Sequence, residues 1–242
     1  MNSLDWLTAR PIAHRGYHDL NTRRWENTLP AFTAAIDNGF AIECDVVLSA
    51  DRVPMVFHDH TLERLTGAKG SVADRTAANL QELVVGGTDD RIPTLDAMLE
   101  YVDGRVPLVI ELKGEEGRDE GFVATVGACL AGYKGQAAIM SFSQHLVRRF
   151  SVDAPGIPAG LTAMGSNIAA MERHFAMLAH DIAFASYYVG EVDNRFVAFI
   201  RGTLGLPVIT WTVRTKANVA ETRAHADQMT FEGFDPSIGP AA

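Results

Sequence analysis

The chain has 242 residues, 47% of them hydrophobic, and its 21 basic and 30 acidic residues give a formal charge of −9. That length supports one packed core of the size of a single barrel-type α/β domain, and the acidic balance makes broad binding to a nucleic-acid backbone a poor candidate function while leaving room for a local phosphate site. Two cysteines, Cys44 and Cys129, make no disulfide framework, "MNSLDWLTAR" carries no basic and apolar leader, and no run nears the roughly 18 apolar residues of a membrane span, so the expectation is a cytoplasmic chain without stable membrane insertion.

Along the chain a short β-like run, a polar turn and a helical run recur. The β-like runs are "PIAHR" (11–15), "AIECDV" (41–46), "PLVIELK" (107–113), "AAIMSF" (137–142), "IPAGLT" (157–162), "IAFASYY" (182–188), "PVITWTV" (207–213) and "DQMTFEG" (227–233). Helical patterns such as "TLPAFTAAIDNGF", with Asn27 or Thr28 as N-cap and Gly39 as stop, and "TLDAMLEYVDG" lie between them. Strands alternating with helices imply a parallel sheet, and eight of them in about 240 residues imply an α/β fold of the (β/α)8 TIM-barrel type, with a doubly wound open sheet as the alternative.

A ninth β-like run, "VPMVFH" (53–58), follows the second after only "LSADR". A parallel crossover needs about a dozen residues, so this link reads as an antiparallel hairpin. A turn centred on Ala50–Asp51 would place Val56 opposite Asp45 and His58 opposite Glu43, on one face of the sheet. The stretch after it breaks the β/α rhythm, with turn formers ("TGAKG", "GGTDD") and one short helical patch ("RTAANLQELV"). It reads as a small insertion, residues 60–92, within one barrel domain spanning residues 1–242. Both a surface excursion and a substrate-facing cap fit it.

Four ionisable groups, Glu43, Asp45, His58 and Asp59, sit in the greasiest part of the chain, "IECDVVLSADRVPMVFHDH". Glu43 and Asp45 are two apart on a strand, so they project to one face with α-carbons about 6.5 Å apart, while Cys44 points into the strand–helix layer. Two carboxylates on one buried face need a neutralising partner, either a hard divalent cation or a buried Arg or Lys. His14 and Arg15 close the first strand and Glu111 and Lys113 the third; Phe142, Trp211 and Glu232 also fall late in their runs. Barrel sites form at the C-terminal strand ends, so these groups converge on one mouth. Glu43, Asp45 and Glu111 are candidate metal ligands, His14 and His58 an acid–base pair, and Arg15 and Lys113 cations for a phosphate. That inventory describes phosphoryl-ester cleavage better than carbonyl chemistry. There is no G-x-S-x-G, P-loop or G-x-G-x-x-G pattern.

The ordered set "AHRG" (13–16), "ENT" (26–28), "IECDVVLSAD" (42–51), "VFHD" (56–59), "IPTL" (92–95), "IELK" (110–113) and "TWTV" (210–213) resembles the glycerophosphodiester phosphodiesterase family over most of the chain. The resemblance implies a (β/α)8 barrel that hydrolyses a small-molecule glycerophosphodiester to glycerol 3-phosphate and an alcohol. His14 and His58 would be its acid–base pair. One divalent cation, Mg²⁺ or Ca²⁺, would sit on Glu43, Asp45 and Glu111, and Arg15 and Lys113 would contact phosphate. Glu26, Asn27, Phe142, Trp211, Arg214 and Glu232 are candidate substrate contacts. Two departures from the family pattern fall at the mouth: Arg214 stands where Asn is usual after "WTV", and "TFEGFDP" replaces "TD.P". Arg214 would add a positive charge for an anionic substrate group.

Other readings stay in view. His18, His60, His145, His174, His180 and His225 read as surface or structural histidines, Asp59 as a partner of His58 or a turn cap, and Trp211 and Phe142 as core or substrate contacts. Competing functions are a lysophospholipase D-type enzyme at a membrane surface and a non-catalytic phosphate-ligand binder on the same scaffold. A homo-oligomer is left open.

Overall fold

Each β-like run becomes a strand in the computed structural model, which describes residues 4–240; of the expected domain 1–242, the first three and last two residues lie outside the described residues. The strands are β1 (Ile12–Ala13), β2 (Ala41–Leu48), β3 (Pro54–Val56), β4 (Leu108–Leu112), β5 (Ala137–Ser141), β6 (Ala159–Ala163), β7 (Phe184–Tyr188), β8 (Val208–Val213) and β9 (Gln228–Phe231). Their order is β1-β9-β8-β7-β6-β5-β4-β2-β3, with β1 also paired to β2. Eight parallel strands therefore close into a barrel, and β3 hangs outside it as an antiparallel partner of β2.

Strand alternation fills this barrel in two tiers. The inward positions nearest the strand starts are apolar: Ile12, Ala41, Val109, Ala138, Phe184 and Ile209 form one buried cluster with Met140, closed from below by Leu7 of the short helix Asp5–Thr8. Gly160 makes room for it, since a Cβ there would lie 2.4 Å from the Phe184 ring. Two residues further along the same strands, the inward positions are His14, Glu43, Glu111, Ser186 and Trp211, followed by Asp45 and Lys113. Parallel register aligns Glu43 with Val109 and Asp45 with Glu111. A period of two thus lays an apolar plug beneath a charged mouth. The outward face carries the larger core against the helices, including Ile42, Cys44, Val46, Ile110 and Leu112.

The hairpin register differs from the expected one by one residue. Val46, not Asp45, pairs with Val56, and Leu48 with Pro54. The turn contains an extra residue: Arg52 N–H donates to Ser49 O (3.0 Å), and Arg52 itself takes φ 67°, the left-handed residue of a three-residue hairpin loop with a bulge. Were β3 continued, His58 would face the Cys44 side. It is not: the ladder ends at Val56, Phe57 N–H bonds to Asp45 O (3.0 Å), and His58 turns off the sheet towards the mouth.

The region from Thr61 to Ile92 packs on its own small core, with Leu62, Leu65, Val72, Leu80, Val85 and Ile92 against Met55 and Phe57. It holds the short helices Glu63–Thr66 and Ala77–Gln81, the second capped by Thr76. No helix among the described residues is long and apolar enough to cross a membrane.

Candidate active site

"HRG" forms the first edge of the mouth. Arg15 (φ 53°) and Gly16 (φ 79°) both take the left-handed region, which turns the chain sharply off β1. A Cβ on Gly16 would come within 2.9 Å of Ala31, so the helix Leu29–Asp37 can approach only glycine here. The turn delivers Arg15 N–H to Glu43 Oε2 (2.8 Å). Asn27, also left-handed at φ 56°, donates from Nδ2 to Asp45 Oδ2 (2.9 Å), while Thr28 takes the N-cap position of the helix.

The mouth opens into a pocket of about 210 Å³ lined by His14, Arg15, Glu43, His58, Glu111, Lys113, Met140, Phe142, Ser186, Tyr188, Trp211, Thr212, Arg214 and Thr230. Most of the expected site residues therefore meet in one place. Glu26 and Asn27 do not line it. They lie behind it, buried, where Glu26 binds Arg15 Nη1 (2.6 Å) and Asn27 holds Asp45. Asp45 also stands behind the lining: Lys113 Nζ lies 3.0 Å from its Oδ1 and Arg15 Nε 3.2 Å from its Oδ2, both off the hydrogen-bonding direction. Glu232 reaches His14 rather than the open pocket (2.5 Å from Nδ1), and Arg214 Nε donates to Glu232 (2.6 Å), so the Arg214 charge is already paired.

Glu43, Asp45 and Glu111 offer three carboxylate oxygens within 4.8 Å of one another, all buried. Such hard-oxygen donors fit Mg²⁺ or Ca²⁺. The electrostatics agree. Burial, with Asp45 and Glu111 beside it, pushes Glu43 well above the carboxylate range. Burial raises Glu111 to about 7 although Lys113 opposes it. Asp45 is as buried, yet Lys113 and Arg15 hold it well below the usual range. Three buried carboxylates thus face two half-buried cations, and the shortfall of positive charge is what a divalent ion would supply. Burial lowers His14 and His58, leaving both neutral and able to accept a proton near neutral pH.

His58 Nδ1 lies 2.6 Å from Asp59 Oδ1. Arg64, from the inserted helix Glu63–Thr66, grips Asp59 through Nε (2.6 Å) and Nη2 (2.9 Å), and Glu26 through Nη1 (3.0 Å) and Nη2 (2.8 Å). The inserted region thereby joins the supports of His58 and Arg15. No sequence signal marks Arg64: it is one arginine on a four-residue helix. His18, Ser186, Thr212 and Thr230 were equally silent, because a hydroxyl or a loop imidazole leaves no periodic trace.

Arg64→Ala is expected to cost about 1–2 kcal/mol at pH 7, less than the 3–5 kcal/mol of a fully buried pair because Arg64 is 44% exposed. Burial opposes ionisation of Glu26 and Asp59, but Arg64 holds each at about 2, below ordinary values of 4.5 and 3.8. Depressed acids stabilise above their unfolded values and lose that contribution as pH falls through the folded ones. The penalty should be full above pH about 4.5 and shrink towards pH 2 in urea melts; a penalty independent of pH would contradict this role.

The profile of the glycerophosphoryl diester phosphodiesterase family matches residues 14–233. YhdW of Bacillus subtilis, provisionally named a glycerophosphodiester phosphodiesterase, is 32% identical over 229 residues, 88% of this chain and 89% of that protein. A glycerophosphodiester phosphodiesterase of Caldanaerobacter subterraneus subsp. tengcongensis is 32% identical over 220 residues, 86% and 87% of the two chains. Among solved structures, a phosphodiesterase from Oleispira antarctica in complex with the product sn-glycerol-3-phosphate superposes with TM-score 0.81 at 25% identity, covering 95% of this chain and 94% of that one. A barrel mouth that gathers two histidines, three carboxylates and two cations, in a chain matched almost end to end by that profile, places this protein in the glycerophosphoryl diester phosphodiesterase family.

Proposed function

We propose that this chain hydrolyses a glycerophosphodiester to glycerol 3-phosphate and an alcohol, using a divalent cation and the His14–His58 pair. The observation that carries the reading is the convergence of His14 and His58 with Arg15, Lys113, Glu43 and Glu111 on one pocket. A cation held by Glu43, Asp45 and Glu111 would polarise a phosphoryl oxygen and offset charge in the transition state. Arg15 and Lys113 bind the remaining phosphoryl oxygens, fixed in direction by Glu26 and by Asp45 and Glu111. One histidine takes the proton of the attacking hydroxyl, and the other gives a proton to the leaving alcohol as its P–O bond breaks. The attacking hydroxyl is that of water or the substrate's own 2-hydroxyl, the latter forming a cyclic phosphate that water then opens.

The rest of the pocket supports a polyol ester. Ser186 and Thr230 line it, and their hydroxyls are buried there without a hydrogen-bond partner. Trp211 stacks edge-on with Phe142 (5.1 Å) and lies against Tyr188 (5.4 Å), forming an aromatic wall for the alcohol moiety. We read residues 1–242 as one barrel domain, with 60–92 inserted and bearing on the site through Arg64.

The test is glycerol 3-phosphate release from glycerophosphocholine by metal-stripped protein, with and without added Mg²⁺ or Ca²⁺, and with His14→Ala as control. Metal-dependent release, at least about 1,000-fold lower in the variant, is expected. Binding of the diester without turnover under any divalent ion would favour a binder on the same scaffold.

A further inference from the structure

We infer that Glu232 is a positioning residue for His14: it fixes the imidazole in one tautomer, with Nε2 free for the reacting phosphate, and Arg214 holds Glu232 in place. This rests on the reading that His14 transfers a proton.

Three N–H groups converge on the Glu232 carboxylate. His14 Nδ1 is 2.5 Å from Oε2, Arg214 Nε is 2.6 Å from Oε1, and His18 Nε2 is 3.6 Å from Oε2. An ionised carboxylate only accepts hydrogen bonds, so Nδ1 carries the proton of neutral His14 and Nε2, on the Glu43 side, keeps its lone pair. His14, His18 and Glu232 also lie close enough together to be read as a zinc site. The tautomers argue against that. Leu20 N–H donates to His18 Nδ1 (3.1 Å), so neutral His18 bears its proton on Nε2, the nitrogen aimed at Glu232, and has no lone pair there for a metal. A metal-bound histidine ordinarily donates from its other nitrogen; this one accepts.

The strand register gives independent weight: Val213 is in register with Phe231, and Glu232 N–H bonds to Val213 O (3.1 Å), which sets Arg214 and Glu232 side by side. The two form one ion pair, and that pair ends on His14. Arg214 as a free cation for substrate accounts for neither the presence of Glu232 nor its contact with His14.

The test compares full-length metal-loaded wild type, Glu232→Gln, Glu232→Asp and Arg214→Ala on glycerophosphocholine, each checked for a native melting transition. Glutamine can offer Nδ1 an amide N–H and invert the tautomer, so E232Q should lose about 100-fold or more in kcat with KM changed less than about threefold. E232D should recover part of the loss, and R214A should lose about tenfold in kcat alone. Nitrogen-15 NMR should show His14 protonated on Nδ1 in the wild type and not in E232Q. An E232Q kcat within threefold of wild type, a rise in KM with kcat unchanged, or a wild-type His14 protonated on Nε2 would overturn the inference. If E232Q does not fold, an unchanged R214A kcat does so. His14→Ala, run in parallel, separates the two levels: full activity there defeats the acid–base reading itself, whereas an inactive H14A beside an active E232Q defeats only the role of Glu232.

Discussion

Asp45→Asn should lower turnover by at least about 1,000-fold, some 4 kcal/mol of transition-state stabilisation, while the barrel still folds. Asp45 is the anchoring charge of the mouth. It is the carboxylate that stays ionised under its neighbours' influence, while Glu43 and Glu111 are pushed the other way. Asn27 donates to it, Lys113 and Arg15 set their charges 3.0 and 3.2 Å from its oxygens, and it is 1% exposed. An asparagine amide would bring two more N–H donors into a shell made of donors, removing the charge on which both phosphate cations lean. Deleting one member of a buried ionic cluster costs about 3–5 kcal/mol; the low end is expected, because Lys113 keeps Glu111 and Arg15 keeps Glu26. The measurements are kcat for glycerol 3-phosphate release and a urea melt. Turnover within tenfold of wild type would remove Asp45 from the centre of the site.

The sequence made the mouth visible wherever charge sat on a strand. Glu43 and Asp45 share a face by alternation, Glu111 and Lys113 do the same on the adjacent barrel strand, and buried apolar strands have no reason to carry two such groups each unless they face a site. The closed eight-stranded barrel was readable for a similar reason, since helices between the strands force them parallel. Loop geometry was less accessible. The one-residue error in the hairpin comes from Arg52, whose left-handed backbone adds a residue to the turn that composition cannot reveal. Glu26 and Asn27 looked like substrate contacts from their motif alone. Left-handed turns at Arg15 and Asn27 send them behind the pocket instead, as supports for Arg15 and Asp45. Arg64 and the Arg214–Glu232 pair depend on contacts between segments distant in sequence, which no local pattern encodes.

Chelating divalent ions should abolish turnover, and the stabilisation gained on restoring them should grow with pH. Glu43 lies well above its ordinary value of 4.5, first through burial and then through Asp45 and Glu111; burial brings Glu111 to about 7. Acids raised in the folded state bind more protons there than in the unfolded chain, so the stability they contribute is full below pH about 4.5 and fades as pH rises through their folded values. The metal-free protein should therefore lose stability from this cluster between pH about 4.5 and 7, and further wherever Glu43 ionises. Cation binding requires the ionised carboxylates and releases their protons, so affinity climbs over the same window. One proton at a value near 7 makes the apparent affinity about tenfold tighter at pH 8 than at pH 6, and displacement from Glu43 adds to that. At a ligand concentration of 100 Kd the gain is about 2.7 kcal/mol, which a melting curve resolves easily. Melting temperatures taken from pH 5.5 to 8, with chelator and with saturating Mg²⁺ or Ca²⁺, should diverge as pH rises. A gap that stays constant with pH would mean that the ion binds without displacing these protons, and full activity in chelator would place the neutralising charge elsewhere, on Arg15 and Lys113 alone.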